Sequence, residues 1–394
     1  MLSKKACSNI AFILLFFAVL LGCAGVSAIA EDQDFSLQEG RFLTRFPSIT
    51  PDNLADGSWF TEFESYCKDQ FTLRETCMER YYAFLDLMQV NARNGYVRGK
   101  NNHILNIRSF NITPSSIASA GNAGTAQQEA MVKIRSAAGE YGGTVLYMNI
   151  PYKMEFFADM YPDYYESGKE VDDAKRAALI RRAEEAGIPV VETYDLLDSH
   201  RDEYIFFTTD HHWTVRGAYY GYQALLERIN SLDPALNLQY PDFDELNVSV
   251  RRERMVGSYL RKWGDGGTIC DDYMEYAIPY DMPPYTRYEN GEPSQFPLLD
   301  TQINSYSAFM YGDYANTFVD TGREELPSVL YVGFSYTNPL EFMSVYNFGT
   351  VESLDPRHFT GSICEHIRKS QPDYIVIVKD DIYEGNPEFS CVVE

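Results

Sequence analysis

Two short runs in this chain hold residue types that can do chemistry together. Thr209-Asp210-His211-His212-Trp213-Thr214 sets a carboxylate two residues before an imidazole, and Gly333-Phe334-Ser335-Tyr336 sets a hydroxyl just after an apolar stretch. A serine hydroxyl is a weak nucleophile at neutral pH. It needs a base to take its proton and a carboxylate to fix the tautomer of that base. Asp210 and His212 can supply both, which makes Ser335, His212 and Asp210 the candidate catalytic set. Asp210, His211 and His212 also have the types of a metal site, but no further His or Cys pattern supports one, so neither a metal nor a cofactor is expected. Trp213 is expected to pack this run against the core, and His103, His200, His358 and His366 are expected at the surface or in supporting positions. A Gly-x-Ser step after a strand is by itself usually no more than a turn, so the elements around these runs carry weight.

Those elements read as strands alternating with helices. Thr144–Ile150 (TVLYMNI), Ser328–Val332 (SVLYV) and Tyr374–Val378 (YIVIV) are apolar runs bounded by Gly, Pro or Ser, as buried strands are. Ile188–Glu192 and Tyr204–Phe207 read as two more. Helices are expected over Thr125–Ala138, stopped by Gly142 and Gly143, over Asp172–Ala186, from Thr214 as N-cap to about Ile229, and over Thr360–Lys369. Alternation of this kind implies a mostly parallel α/β sheet covered by helices on both faces. In such sheets reactive groups collect where strands end, and both candidate runs follow predicted strands. Residues 233–325 break the rhythm. They are rich in Pro, Tyr and Asp, and read as a large lid-like insertion with a few short strands at most. Ser58–Ala92 reads as helical, with an aromatic stripe (Phe60, Phe63, Tyr66, Tyr81, Phe84) expected to be core.

The 394 residues are 45% apolar, enough to bury a full core. The net charge of −24 is spread along the chain and repels phosphates, which excludes general nucleic-acid binding. The 30 Tyr and 24 Phe residues suit half-buried strands, and some of the tyrosines suit a sugar-binding cleft. At the N-terminus Lys4 and Lys5 precede an apolar run from Ile10 to Leu21, the layout of a secretory signal. Ala28-Ile29-Ala30 suits cleavage, Leu20-Leu21-Gly22-Cys23 suits lipidation of Cys23, and Asn9–Ala30 is long enough to stay as an anchor. Each places the rest of the chain outside the cytoplasm. Beyond the signal lie Cys67, Cys77, Cys270, Cys364 and Cys391, an odd number. Cys67 with Cys77 and Cys364 with Cys391 are possible bridges, with connectivity left open. The expected division is therefore 1–30 as signal or anchor, 31–100 as an extended arm and helical segment, and 101–394 as the α/β domain containing the 233–325 insertion.

The run Asp210-His211-His212-Trp213-Thr214 resembles the signature of the DHHW protein family, which is similar to the SGNH-hydrolase-like acetyltransferase domains of the alginate acetylation proteins AlgX and AlgJ. Phe35–Thr50, Asp56-Gly57-Ser58, Asp69-Gln70-Phe71 with Arg74, Asn149–Lys153, Val256–Tyr259, Gly333–Tyr336 and Leu354–Arg357 are similar to further segments of that family, so the resemblance spans nearly the whole mature chain. It implies a flavodoxin-like SGNH fold with Ser335 as nucleophile, its backbone amide donating to the oxyanion, His212 as general base and Asp210 as its orienting partner. Lys153, Arg357 and Tyr336 would line the substrate cleft, though for Lys153 and Arg357 a structural ion pair is the plainer role. The family block reads Gly-Asp-Ser, and Phe334 stands here where the Asp would be. That Asp is outside the triad but helps order the turn.

The implied function is an exported O-acetyltransferase, or an acetylesterase, acting on a cell-surface or secreted polysaccharide, with a membrane O-acyltransferase as upstream acyl donor. The alternative, favoured by Phe334, is a catalytically inactive SGNH-like surface module that binds glycan or scaffolds a partner. A metal-dependent hydrolase built on Asp210, His211 and His212 is the third reading.

Overall fold

The computed structural model describes residues 4–36, 41–108, 112–265, 267–269 and 272–380. They fall into two compact units, one holding the residues up to Asn94 together with Leu260–Ile269, the other holding Gly95–Tyr259 and those from Asp272 on.

The first unit begins with a helix over Lys4–Ile29, whose Ser8–Ile29 portion has a mean hydropathy of 2.6 and is long enough to cross a membrane. Thr50 caps a short helix over Pro51–Asp56, and Gly57, at φ +84°, turns the chain into a second helix over Ser58–Asp69. The predicted long helix is broken at Gln70–Leu73 and resumes over Arg74–Leu87. The aromatic stripe is also not core. Phe60, Tyr81 and Phe84 are each more than half exposed, because these helices are short and have only one packed side. Trp59 and Phe63 stack at 4.9 Å. Leu260–Ile269 is tied in through Trp263, whose indole donates to the Asn91 carbonyl at 2.9 Å while the Arg93 guanidinium covers its ring at 3.9 Å. Cys23, Cys67, Cys77 and Cys364 are free thiols, so the Cys67–Cys77 bridge is not made. Cys270 and Cys391, and with Cys391 the second possible bridge, lie outside the described residues.

The second unit is built on an eight-stranded sheet. In chain order its strands are β1 (Thr144–Ile150), β2 (Val190–Glu192), β3 (Thr286–Glu289), β4 (Glu292–Ser294), β5 (Asn316–Asp320), β6 (Ser328–Val332), β7 (Thr350–Leu354) and β8 (Tyr374–Asp380). Their spatial order is β4-β3-β5-β7-β6-β8-β1-β2. The five strands from β7 to β2 are parallel, and the three from β4 to β5 join antiparallel at one edge. The chain thus forms a mostly parallel α/β sheet. Successive strand residues point to opposite faces, and both faces are apolar. Leu146, Met148, Val376 and Tyr331 pack on one side with the helix Val215–Leu232 and the short helix Asn338–Ser344. Val145, Tyr147, Ile375 and Leu330 pack on the other with Thr125–Gly139, Lys169–Glu185 and Ile363–Ser370.

Two expectations change. Tyr204–Phe207 is not a sheet strand. It makes an isolated antiparallel bridge, Phe206 with Trp213, because the chain doubles back at once to present residues 208–212. The 233–325 stretch is not merely an excursion, since it supplies β3, β4 and β5, together with an antiparallel pair formed by Asn247–Arg251 and Met274–Ile278.

Candidate active site

Ser335 follows β6 at the carboxyl edge of the parallel strands. Gly333 allows the turn, since a Cβ there would meet the Val378 carbonyl oxygen at 2.9 Å and the Thr337 methyl at 2.8 Å. Thr337 N–H then donates to the Phe334 carbonyl at 2.8 Å, closing one 3-10 turn over Ser335–Thr337. Phe334 therefore leaves the turn ordered by its backbone.

The second run reaches the same place from the 208–214 loop. Asp210 Oδ1 lies 2.7 Å from His212 Nδ1, and His212 Nε2 lies 2.7 Å from Ser335 Oγ. With Nδ1–H donating to the carboxylate, Nε2 is left to accept the serine proton. The other Asp210 oxygen accepts the Ser258 amide at 2.6 Å. That contact depends on Gly257, where a Cβ would lie 2.3 Å from the Thr209 carbonyl oxygen. Asp210, His212 and Ser335 are all buried. Burial disfavours the charged form of Asp210, but the His211 and His212 imidazoles outweigh it and hold the carboxyl well below its usual range. Burial, reinforced by His211, pushes His212 down to about 4 against the pull of Asp210. The imidazole is thus neutral at pH 7 and ready to accept a proton.

The loop that carries Asp210 is gripped from two sides. Lys153, wholly buried, donates from Nζ to the Thr208 carbonyl at 2.8 Å and the Asp210 carbonyl at 2.6 Å. Asp272 accepts the Thr208 amide at 2.7 Å and the Thr209 amide at 2.6 Å, together with both threonine hydroxyls and the Tyr204 hydroxyl. Lys153 is thus committed to the loop rather than to a cleft. Tyr336 is likewise buried, with its hydroxyl donating to the His211 carbonyl. Arg357 does reach solvent. It binds Asp313 at 2.7 Å and also Asp355, and lies 5.1 Å from the centre of the Phe334 ring.

Three contributors were not singled out from the sequence. Tyr306 stacks on His212, Asp272 grips the loop, and Asp313 meets Arg357 and the Asn338 amide, the latter at 3.0 Å. All three come from the Pro-, Tyr- and Asp-rich stretch, where nothing in the local pattern separates one Tyr or Asp from its many neighbours.

Asp210, His211 and His212 also place one donor atom each within 4.8 Å of one another. A metal there would have to displace the Asp210–His212 hydrogen bond, and His211 Nδ1 is already 2.9 Å from the Ser258 hydroxyl.

Residues 113–259, which include Lys153 and the whole 209–214 run, match the family model for the SGNH hydrolase-like domain of the acetyltransferase AlgX. This part of the chain is similar to an SGNH hydrolase-like domain. Solved structures extend the likeness of fold to about three quarters of the chain. A DHHW family protein from Eubacterium siraeum aligns with a TM-score of 0.56 and 20% identity over 76% of this chain and 95% of its own. Bacillus cereus PatB1 aligns with a TM-score of 0.60 and 14% identity over 75% of this chain and 98% of its own. PatB1 with a sulfonyl adduct aligns at 0.57, with 13% identity over 75% and 96%. At these identities the likeness is one of fold. No curated protein matches the chain in sequence.

Proposed function

We propose that the protein is an extracytoplasmic acyl-transfer enzyme, an O-acetyltransferase or acetylesterase that modifies a polysaccharide through Ser335, His212 and Asp210. The observation that carries this reading is the unbroken hydrogen-bond line from Asp210 through His212 to Ser335. Ser335 Oγ attacks the acyl carbonyl as its proton passes to His212 Nε2. The tetrahedral oxyanion collapses, the donor's leaving oxygen takes the proton from His212, and the acyl group stays as an ester on Ser335. An acceptor hydroxyl then gives its proton to His212, attacks the ester and leaves acylated, which returns the proton to Ser335. Water as acceptor gives the esterase, a glycan hydroxyl the transferase. The N-terminal apolar helix supports placement outside the cytoplasm, and a membrane O-acyltransferase would be a fitting acyl donor.

The test is release of p-nitrophenol from p-nitrophenyl acetate by the full chain, with and without glycan, beside Ser335→Ala. Release that depends on Ser335 and persists in a chelator supports the serine mechanism. Equal release by wild type and Ser335→Ala refutes it. Loss of release in the chelator would favour a metal at Asp210, His211 and His212. A folded wild type as inert as the variant would favour the non-catalytic, glycan-binding module.

A further inference from the structure

The first unit carries an apolar surface that faces solvent. Phe42, Phe46, Ile49, Phe60, Phe84 and Leu87 are each more than half exposed. Large apolar side chains gathered on one segment mark a surface that meets something other than water. The helix beside it shows what that is. Ser8–Ile29 is long and apolar enough to cross a membrane, and its most apolar stretch is not buried in the protein. Lys4 and Lys5 stand at its start, the side that positive charge keeps in the cytoplasm. Its outer end is tied to helix Ser58–Asp69 and the turn that follows. The Thr72 amide donates to Ser27 Oγ at 3.1 Å, the Tyr66 hydroxyl to Asp32 at 2.9 Å, and the Gln70 side chain to the Gln33 carbonyl at 3.0 Å. Residues 66–72 are therefore held at the point where a membrane-crossing helix would leave the bilayer.

The helix held there is two-sided. Trp59, Phe63 and Tyr66 recur at the spacing of one helix face. Phe63 stacks on Trp59 at 4.9 Å, and Phe46 meets Phe63 and Tyr66 edge-on at 5.9 and 5.2 Å. On the other face Glu64 and Lys68 pair at 2.7 Å in the open. Trp and Tyr on the apolar side of such a helix suit the boundary between headgroups and acyl chains. Between this face and the N-terminal helix runs a groove of about 1040 Å³, lined by no charged residue. Its polar lining residues, Ser27, Tyr66 and Gln70, gather at the outer end. Phe16 and Phe12, also in its wall, lie roughly 16–22 Å further down the helix. A lipid has the same polarity, with its polar group outward and its tails inward. Charge does not provide the attraction, because a chain of net charge −24 is repelled by anionic headgroups.

We propose that the N-terminal helix is retained and that acyl chains of the outer leaflet fill this groove, bedding the aromatic face of Ser58–Asp69 in the membrane. This goes beyond the acyl-transfer reading, does not depend on Ser335, and shares with it only the extracytoplasmic placement. The full chain is reconstituted in phosphatidylcholine vesicles that contain a phosphatidylcholine with a photoactivatable diazirine in its acyl chain. After irradiation the lipid adducts are mapped by peptide. The N-terminal helix is labelled in any case and serves as the internal standard. Adducts are expected on residues 59–71 as well, in equal yield at low and high salt, because apolar contact is not screened. Phe63→Asp places a charge in the groove wall and should lower the yield on that stretch at least about fivefold relative to the N-terminal helix. Phe46→Asp serves in its place if circular dichroism shows that Phe63→Asp has lost helix. The intact mass of the membrane-bound chain from the producing cell should include the N-terminal helix. The proposal falls if adducts are confined to Lys4–Ile29, if residues 59–71 are labelled only at low salt, or if the Asp variants leave their labelling unchanged. It falls equally if the chain from the cell begins at Cys23 or Glu31, since either cut removes a wall of the groove.

Discussion

The ring of Tyr306 lies flat on the imidazole of His212, with centroids 3.7 Å apart and planes 6° from parallel, and the Tyr306 hydroxyl donates to the Ser335 carbonyl at 3.0 Å. One buried side chain thus braces both His212 and the backbone of Ser335. Stacking fixes the plane of the imidazole, and the hydroxyl fixes the height of the serine turn.

Replacing Tyr306 therefore separates two effects. Tyr306→Phe keeps the stack and loses one hydrogen bond, about 1 kcal/mol, and should lower kcat by less than about tenfold. Tyr306→Leu removes the flat support, and a base misplaced by a fraction of an ångström should lower kcat about 10- to 100-fold. In both, KM should hold. Steady-state hydrolysis of p-nitrophenyl acetate reads the split, and a change confined to KM would contradict the bracing role.

Lys153 and Asp272 should behave as a coupled pair. Each grips the Thr208–Asp210 backbone with a full charge in a buried setting. Losing charge-assisted hydrogen bonds to buried groups costs roughly 2–4 kcal/mol, so Lys153→Met and Asp272→Asn should each shift urea unfolding by that amount. The double variant should cost less than the sum, because the loop is already released by the first change. Strict additivity would mean that the two act on separate parts of the fold.

Acid should act on stability before it acts on the chemistry. His212 and His103 are held neutral by burial, at about 4 and about 3, against an ordinary value of 6.5. The unfolded chain takes up protons at these positions below pH 6.5 and the folded one does not. The stability they contribute is therefore complete above pH 6.5 and declines as pH falls towards 4, by about 1.4 kcal/mol per pH unit for each histidine. His103→Phe should flatten the urea midpoint between pH 6.5 and 4 relative to wild type. The base form of His212 persists down to about pH 4, so kcat/KM should keep its plateau well below 6.5. An acid limb centred near 6.5 would place the imidazole in a wetter setting than the one described.

How much of this is legible in the sequence depends on where each residue's partners lie. Thr144–Ile150 and Ser328–Val332 could be read to the residue, because both faces of a central parallel strand are apolar and the runs stand out. The Thr214 cap was legible because its partner, the Gly217 amide, is three residues away. β7 was missed because Glu352 and Ser353 interrupt its apolar run. Both are satisfied from a distance, Glu352 by His366 and Asn316, and Ser353 by Glu341. β3 and β5 escape notice for a different reason, since each is short and pairs with a strand well removed in the chain. In the site, the types and spacing of Asp210 and His212 suggested a base and its support, and the family resemblance joined them to Ser335. Tyr306, Asp272 and Asp313 have meaning only through where the fold brings them, and no local pattern marks them.

The position of β8 has a consequence for the order in which the sheet can close. β6, which leads into Ser335, and β1, which leads towards Lys153, are not neighbours; Tyr374–Asp380 lies between them and bonds to both. The β1 side of the sheet and the β6 side are therefore joined edge to edge by the described strand nearest the C-terminus. A chain that emerges N-terminus first has β1 and β6 without the strand that pairs with both until residues 374–380 arrive, and such distant pairings form late and slowly. The hydrogen bonds across the middle of the sheet can therefore close only after every other described strand of the sheet has been made.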